Sequence, residues 1–80
     1  MNLLEDFING NTYCKIENTK DFFKMAEMLE NIGIDISNCY YDESDIENNY
    51  VVKNKRLSRI YFFGAIPGIN NFEEVFKEEY

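Results

Sequence analysis

Four acidic residues fall within six consecutive positions near the middle of the chain: Asp42, Glu43, Asp45 and Glu47. Clustered carboxylates can act as general acid and base, bind a divalent cation, or present negative charge to a partner. The run lacks the glycine and the ligand spacing of an EF-hand loop. It therefore predicts a solvent-exposed loop whose carboxylates face outward.

No other group of residues offers catalytic chemistry. The chain contains no histidine, so it has neither a histidine general base nor a Cys–His or Ser–His pair. Neither a GxxxxGKS/T loop nor a GxGxxG turn is present. Cys14 and Cys39 cannot complete a four-ligand zinc site without histidine, and we expect both to be reduced and partly buried. We interpret the chain as a non-enzyme that uses no cofactor or metal.

The charge of the chain is unevenly distributed. Its formal net charge is −7, from 8 basic and 15 acidic residues. Half of the basic residues lie within seven positions, and they are Lys53, Lys55, Arg56 and Arg59. The rest of the surface is strongly acidic, which disfavours direct DNA binding and favours the basic surface of a protein or ribonucleoprotein. The basic cluster is interpreted either as a protected edge hairpin or as a contact for RNA.

A second group of acids lies at the end of the sequence. Its members are Glu73, Glu74, Glu78 and Glu79. We take this group and the acidic run at 42–47 as the two candidate partner-binding patches.

The size and hydrophobicity of the chain predict one small folded domain over residues 1–80. Hydrophobic residues make up 45% of the sequence, which is too many for a disordered chain. No apolar run approaches the roughly 18 to 20 residues of a membrane span, and the acidic first residues are unlike a secretory signal. We expect a cytoplasmic protein.

Periodicity predicts two helices and a strand in the first half of the chain. Residues 2–8 favour a short helix, with a hairpin turning at Asn9-Gly10 as the alternative. Residues 12–17 alternate as a strand. A longer helix is predicted from Asn18 or Thr19 to Ile32, ending at Gly33. Its apolar stripe is Phe22, Met25, Ala26, Leu29 and Ile32.

The second half of the chain predicts a hairpin and a final helix. Residues 34–36 could form a short strand, and residues 50–53 and 57–63 form two more, joined by a turn at 54–55. Phe72, Val75 and Phe76 recur at helical spacing and would either close the core or form a homodimer. The expected fold is α+β, a small antiparallel sheet of about three strands with helices packed on one side.

Three segments carry a resemblance to a known group of proteins. They are DFING at 6–10 with the strand after it, NTKDFFK at 18–24, and LENIGI at 29–34. In this pattern of caps and core positions the chain resembles small acidic proteins of phages and prophages of low-GC Gram-positive bacteria. The resemblance implies a mobile-element origin, and such proteins include many anti-CRISPR and other anti-defence inhibitors.

These observations lead to one main hypothesis and two alternatives. The main hypothesis is a non-enzymatic inhibitor of a host defence complex, with acidic side chains standing in for nucleic-acid phosphates. The first alternative is another protein–protein interaction module, either an immunity or antitoxin protein or a phage regulator of host enzymes. The second is an RNA-binding hairpin formed by residues 53–59.

Overall fold

A computed structural model describes residues 2–60 and 68–77. Its elements are α1 (Leu3–Ile8), β1 (Tyr13–Ile16), α2 (Thr19–Asn31), β2 (Asn48–Lys53), β3 (Arg56–Ile60), β4 (Ile69–Asn71) and α3 (Phe72–Phe76). They form a four-stranded sheet in the order β3-β2-β1-β4, with the three helices packed on it. The predicted α+β class is confirmed. The predicted end of the third strand, at 61–63, lies outside the described residues.

Each helix begins at an asparagine. Asn2 accepts the backbone N–H of Leu4, and Asn18 accepts that of Asp21. Asn71 starts α3 with a reciprocal capping box to Glu74. These side chains satisfy backbone donors that the first turn of a helix leaves without intrahelical partners.

The central helix α2 is predicted nearly to the residue. Phe22, Met25, Ala26 and Leu29 of its stripe are buried. Ile32 was expected to continue that stripe, and this was wrong: it caps the helix and is 57% exposed. The chain turns away here because Gly33 adopts a φ of +87°, which lets the N–H of Ile34 bond to the carbonyl of Leu29.

The sheet departs from the prediction in direction and strand number. β1 pairs antiparallel with β2, placing Cys14 opposite Tyr50, but it pairs parallel with β4 on its other side. The sheet is therefore mixed, and the fully antiparallel sheet that we expected was wrong. The expected strand at 34–36 is reduced to one bridge, in which Asp35 pairs with Arg56.

The hairpin between β2 and β3 turns where the sequence predicted. Asn54 and Lys55 have φ values of 53° and 61°, as the two central residues of a type I′ turn require. β2 begins two residues earlier than predicted, at Asn48, and that difference places Asn48 and Asn49 in the sheet.

The core lies between the helices and one face of the sheet. It includes Phe7 of α1, Leu29 of α2, Tyr50 of β2 and Phe76 of α3. Phe72, Val75 and Phe76 are 4%, 3% and 0% exposed, so these residues close the core and are not available for the homodimer that we considered. Among the described residues, no helix has the length and apolarity needed to cross a membrane.

Candidate functional site

The acidic loop 40–47 connects the bridge at Asp35 to β2. The carboxylates of Asp42 and Asp45 accept hydrogen bonds from residues within the loop. Asp42 Oδ1 accepts the Ser44 backbone N–H at 2.9 Å and the Ser44 hydroxyl at 2.6 Å. Asp45 Oδ1 accepts the Glu47 N–H at 3.0 Å. Short polar side chains that bond to the backbone two residues later make tight turns, so the acidic loop is two successive turns of this kind.

Asn48 holds the base of the acidic loop. It is only 1% exposed and its amide is fully used. Its Nδ2 donates to the carbonyls of Asp42 and Asp45 at 3.0 and 3.3 Å, and its Oδ1 accepts the Asp42 N–H at 3.0 Å. A buried amide is stable only when its polar atoms have partners, and here the loop backbone provides them.

Arg59 of β3 also binds the acidic loop and Asn48. Its side chain is 3% exposed, and its Nη2 lies 2.7 Å from Asp45 Oδ2. Its Nε donates to Asn48 Oδ1 at 2.8 Å, and the guanidinium lies 5.3 Å from the ring centroid of Tyr40. The sequence placed Arg59 in a basic surface cluster, whereas the structure turns it inward to bind the acidic loop.

The other basic residues of the predicted cluster are divided between two environments. Arg56 lies 3.4 Å from Asp35 across the bridge. Lys53 and Lys55 are exposed at the hairpin tip. Arg59 is turned inward and Arg56 pairs with Asp35, so fewer of the four cations are available to RNA, which weakens the RNA-binding alternative.

Glu43 and Glu47 differ in their contacts. Glu43 Oε1 accepts the hydroxyl of Thr19 at 2.7 Å, which joins the acidic loop to the first residue of α2. Glu47 is exposed, and next to it Ile46 is 91% exposed. The acidic loop therefore presents an apolar side chain among its carboxylates.

Hydrogen bonds keep two of the loop carboxylates ionised. The Ser44 hydroxyl and backbone N–H lower the pKa of Asp42 below its ordinary value. The backbone N–H of Glu47, followed by Arg59, lowers the pKa of Asp45. A carboxylate that accepts several hydrogen bonds is favoured in its charged form, so both groups are anions at neutral pH.

The second predicted patch lies at the start of α3. Glu74 is part of the capping box: its N–H donates to Asn71 Oδ1 at 2.9 Å, and its Oε1 accepts the Asn71 N–H at 3.4 Å. Glu73 is exposed and lines a small polar groove. Glu78 and Glu79 lie outside the described residues.

The two patches meet at the N-terminal end of α2. The acidic loop reaches Thr19 through Glu43, and the polar groove beside Glu73 is also lined by Asp21, Glu17 and Lys15. Glu17 and Asp21 were not among the predicted site residues. Their position on either side of the cap Asn18 was the available signal, but strand pairing was needed to place them beside α3.

The cysteines and the clustered acids are the described groups that could take part in covalent or metal chemistry. Both cysteines are free, and burial raises the pKa of the Cys39 thiol to about 11. Burial also raises the pKa of Cys14. Thiols are weak nucleophiles when protonated. Within ranges 2–60 and 68–77 no group of three or more Cys, Asp and Glu is arranged to hold a metal ion.

The acidic loop can accept hydrogen bonds and attract cations from a fixed position.

Comparisons of the chain with protein-family models, with curated proteins and with solved structures found no match.

Proposed function

We propose that this protein is a non-enzymatic inhibitor of a host defence complex, of the anti-CRISPR kind, that acts in the host cytoplasm. It binds a basic nucleic-acid channel and presents carboxylates where the channel would otherwise hold phosphates. The phage-like pattern of about the first 36 residues and the net charge of −7 both favour this assignment.

The observation that carries the proposal is the way the acidic loop is held. Asn48 and the side chain of Arg59 are both buried, and each bonds to the acidic loop through more than one atom. A loop fixed before binding loses less conformational entropy on association. Carboxylates held in this way make charge-assisted hydrogen bonds with Lys and Arg, as phosphates do.

The length of the acidic surface supports the same assignment. Glu43 brings the loop to Thr19, and Asp21 and Glu73 continue the negative surface past the start of α2. A nucleic-acid channel contacts successive phosphates along a strand, so an extended row of carboxylates fits it better than a single pair does.

The test must remove loop charges without dismantling the loop. Asp45 is unsuitable, because its removal would leave the guanidinium of Arg59 buried without its carboxylate. The variant is therefore Glu43→Gln/Glu47→Gln. Its charge-matched control is Glu5→Gln/Asp6→Asn on α1, which changes the net charge by the same amount on another element.

Two quantities are measured with RNA-guided nucleases of low-GC Gram-positive bacteria: inhibition of their DNA binding, and the rate at which the protein associates with them. Each purified effector complex is given labelled target DNA with and without the protein. We expect the wild type to block DNA binding by at least one effector. The loop variant should associate at least tenfold more slowly, with a weaker dependence on salt, because steering depends on charge close to the contact. Equal association rates for the two double variants would contradict the role of the acidic loop.

A further inference from the structure

The outer face of α2 carries an exposed surface, and at its edge Met28 packs against the core. Phe23 is 63% exposed at its centre. One turn further along, the helix carries a groove of about 230 Å³ lined by Lys24, Glu27, Met28 and Asn31. A cavity of roughly 150 Å³ is enough for a benzene molecule, so this groove can accept one aromatic ring.

The charges on this face are arranged against the dipole of their own helix. Lys20 and Lys24 occupy the first half of α2, and Glu27 and Glu30 occupy the second. Acids are favourable near a helix N-terminus and bases near the C-terminus, and like charges four residues apart repel. Apart from Asp21 and the favourable three-residue spacing of Lys24 and Glu27, the outward charges of α2 are therefore in the unfavourable order for a helix standing alone.

The order of lysines first and glutamates second becomes favourable beside a second α2 that runs in the reverse direction, because the lysines of each helix then face the glutamates of the other. We propose that the outer face of α2 binds a second copy of this chain, with the two helices antiparallel about a two-fold axis at the level of Lys24 and Glu27. In that register Lys20 faces Glu30 of the second copy. Phe23 faces Glu27 and Met28 of the second copy, which line its groove.

Two features single out a second copy as the occupant. The face carries both the exposed ring of Phe23 and the groove. A two-fold axis places the ring of each copy against the groove of the other. The same axis places basic residues against acidic ones twice, which gives charge complementarity despite the net charge of −7 on each copy. One helix pair is a small interface, so we expect weak association with a Kd of about 10–100 µM.

The experiment is sedimentation equilibrium of the full chain from 5 to 300 µM in 150 mM NaCl. The wild type should be a concentration-dependent dimer. Lys20→Glu and Glu30→Lys should each weaken association at least fivefold, because each places like charges opposite one another. The double variant Lys20→Glu/Glu30→Lys should restore it. Each reversal suits the helix dipole better than the native residue does, so loss of the dimer would not reflect loss of α2.

Phe23→Asp tests the aromatic contact and should give a monomer. Its matched control is Ile46→Asp, which also replaces an exposed apolar residue by an acid but lies on the acidic loop. A monomeric wild type at 300 µM, an unaffected Phe23→Asp variant, or a double reversal that fails to recover would each overturn the proposal. Far-ultraviolet circular dichroism verifies that every variant is folded.

Discussion

At the scale of single residues, Arg59 organises the most distinctive part of the molecule. Its guanidinium contacts Asp45, Asn48 and the carbonyl of Glu47 while its side chain stays buried. The sequence offered no means of separating it from Arg56, because both are arginines on one predicted hairpin. Only the alternation of β3 distinguishes them, and the direction of that alternation depends on the register with β2.

Replacing Arg59 should destabilise the protein far more than replacing Arg56. Arg59→Ala leaves Asp45 without its ion pair and removes a donor from buried Asn48, so we expect a loss of about 2–4 kcal/mol. Arg56→Ala removes an ion pair whose side chains are 58% and 44% exposed, and we expect about 0–1 kcal/mol. Urea unfolding of both variants gives the comparison, and similar losses would show that Arg59 does not hold the acidic loop.

The carboxylates of Asp42, Asp45 and Asp35 should make stability depend on acid pH. All three have a pKa lowered from the ordinary value of 3.8, the last mainly by the Ser37 hydroxyl. A lowered folded-state pKa means that the stabilisation is complete above the unfolded pKa and is lost as pH falls through the folded one. The urea midpoint should therefore be steady above pH 5 and fall below pH 4.

The variant Asp42→Asn isolates one of these groups. It cannot titrate, so its stability should fall less steeply than that of the wild type between pH 5 and pH 3. Ser44→Ala, which removes the hydroxyl that donates to Asp42 Oδ1, should flatten the same part of the pH profile. Identical slopes for wild type and Asp42→Asn would contradict the assigned hydrogen bonds.

At the scale of elements, α2 provides a matched pair of positions. Leu29 is 0% exposed and Ile32 is 57% exposed, although both were assigned to the same apolar stripe. Leu29→Ala should cost about 2–5 kcal/mol by opening a cavity. Ile32→Ala should change stability by about 0.5 kcal/mol or less, as expected for a surface substitution. Thermal melts of the two variants distinguish them, and equal melting temperatures would contradict the described end of the helix.

The accuracy of the sequence prediction follows the strength of local signals. The helix α2 was predicted well because a cap, a stripe and a glycine all agree along one segment. β4 was missed because Ile69–Asn71 is three residues long and shows no apolar alternation. Non-local partners place it there: Asn70 donates to the Thr12 hydroxyl, and the carbonyl of Gly68 accepts the N–H of Tyr13.

The start of β2 was missed for a related reason. Two adjacent asparagines normally indicate a loop, yet Asn48 and Asn49 are 1% and 3% exposed. Asn48 tolerates burial because the acidic loop and Arg59 use its amide. Those partners lie up to eleven residues away and face it only after folding, so no local pattern could reveal them.

At the scale of the whole molecule, the net charge predicts that the protein alone does not bind nucleic acid. With a net charge of −7 and the side chain of Arg59 turned inward, the protein is expected to repel nucleic acid. It should therefore show no binding to a 20-base-pair duplex at 150 mM salt, because it has few counterions to displace. Fluorescence anisotropy checks this, with the same assay at 20 mM salt as the reference. Sub-micromolar binding that is lost in Lys53→Ala/Lys55→Ala would instead favour nucleic-acid binding by the hairpin as the function of the protein.

The parallel pairing of β1 with β4 also determines when the chain can finish folding. α2 and the β2–β3 hairpin form from residues close in sequence, whereas the pairing of Cys14 with Asn70 closes most of the chain into a loop. Long-range closure is slow because its entropy is lost before the contacts are gained. During synthesis β1 must wait, with one edge open, until the ribosome has released β4 and α3. An open strand edge is a template for aggregation, so chains that terminate early are the ones that chaperones must intercept.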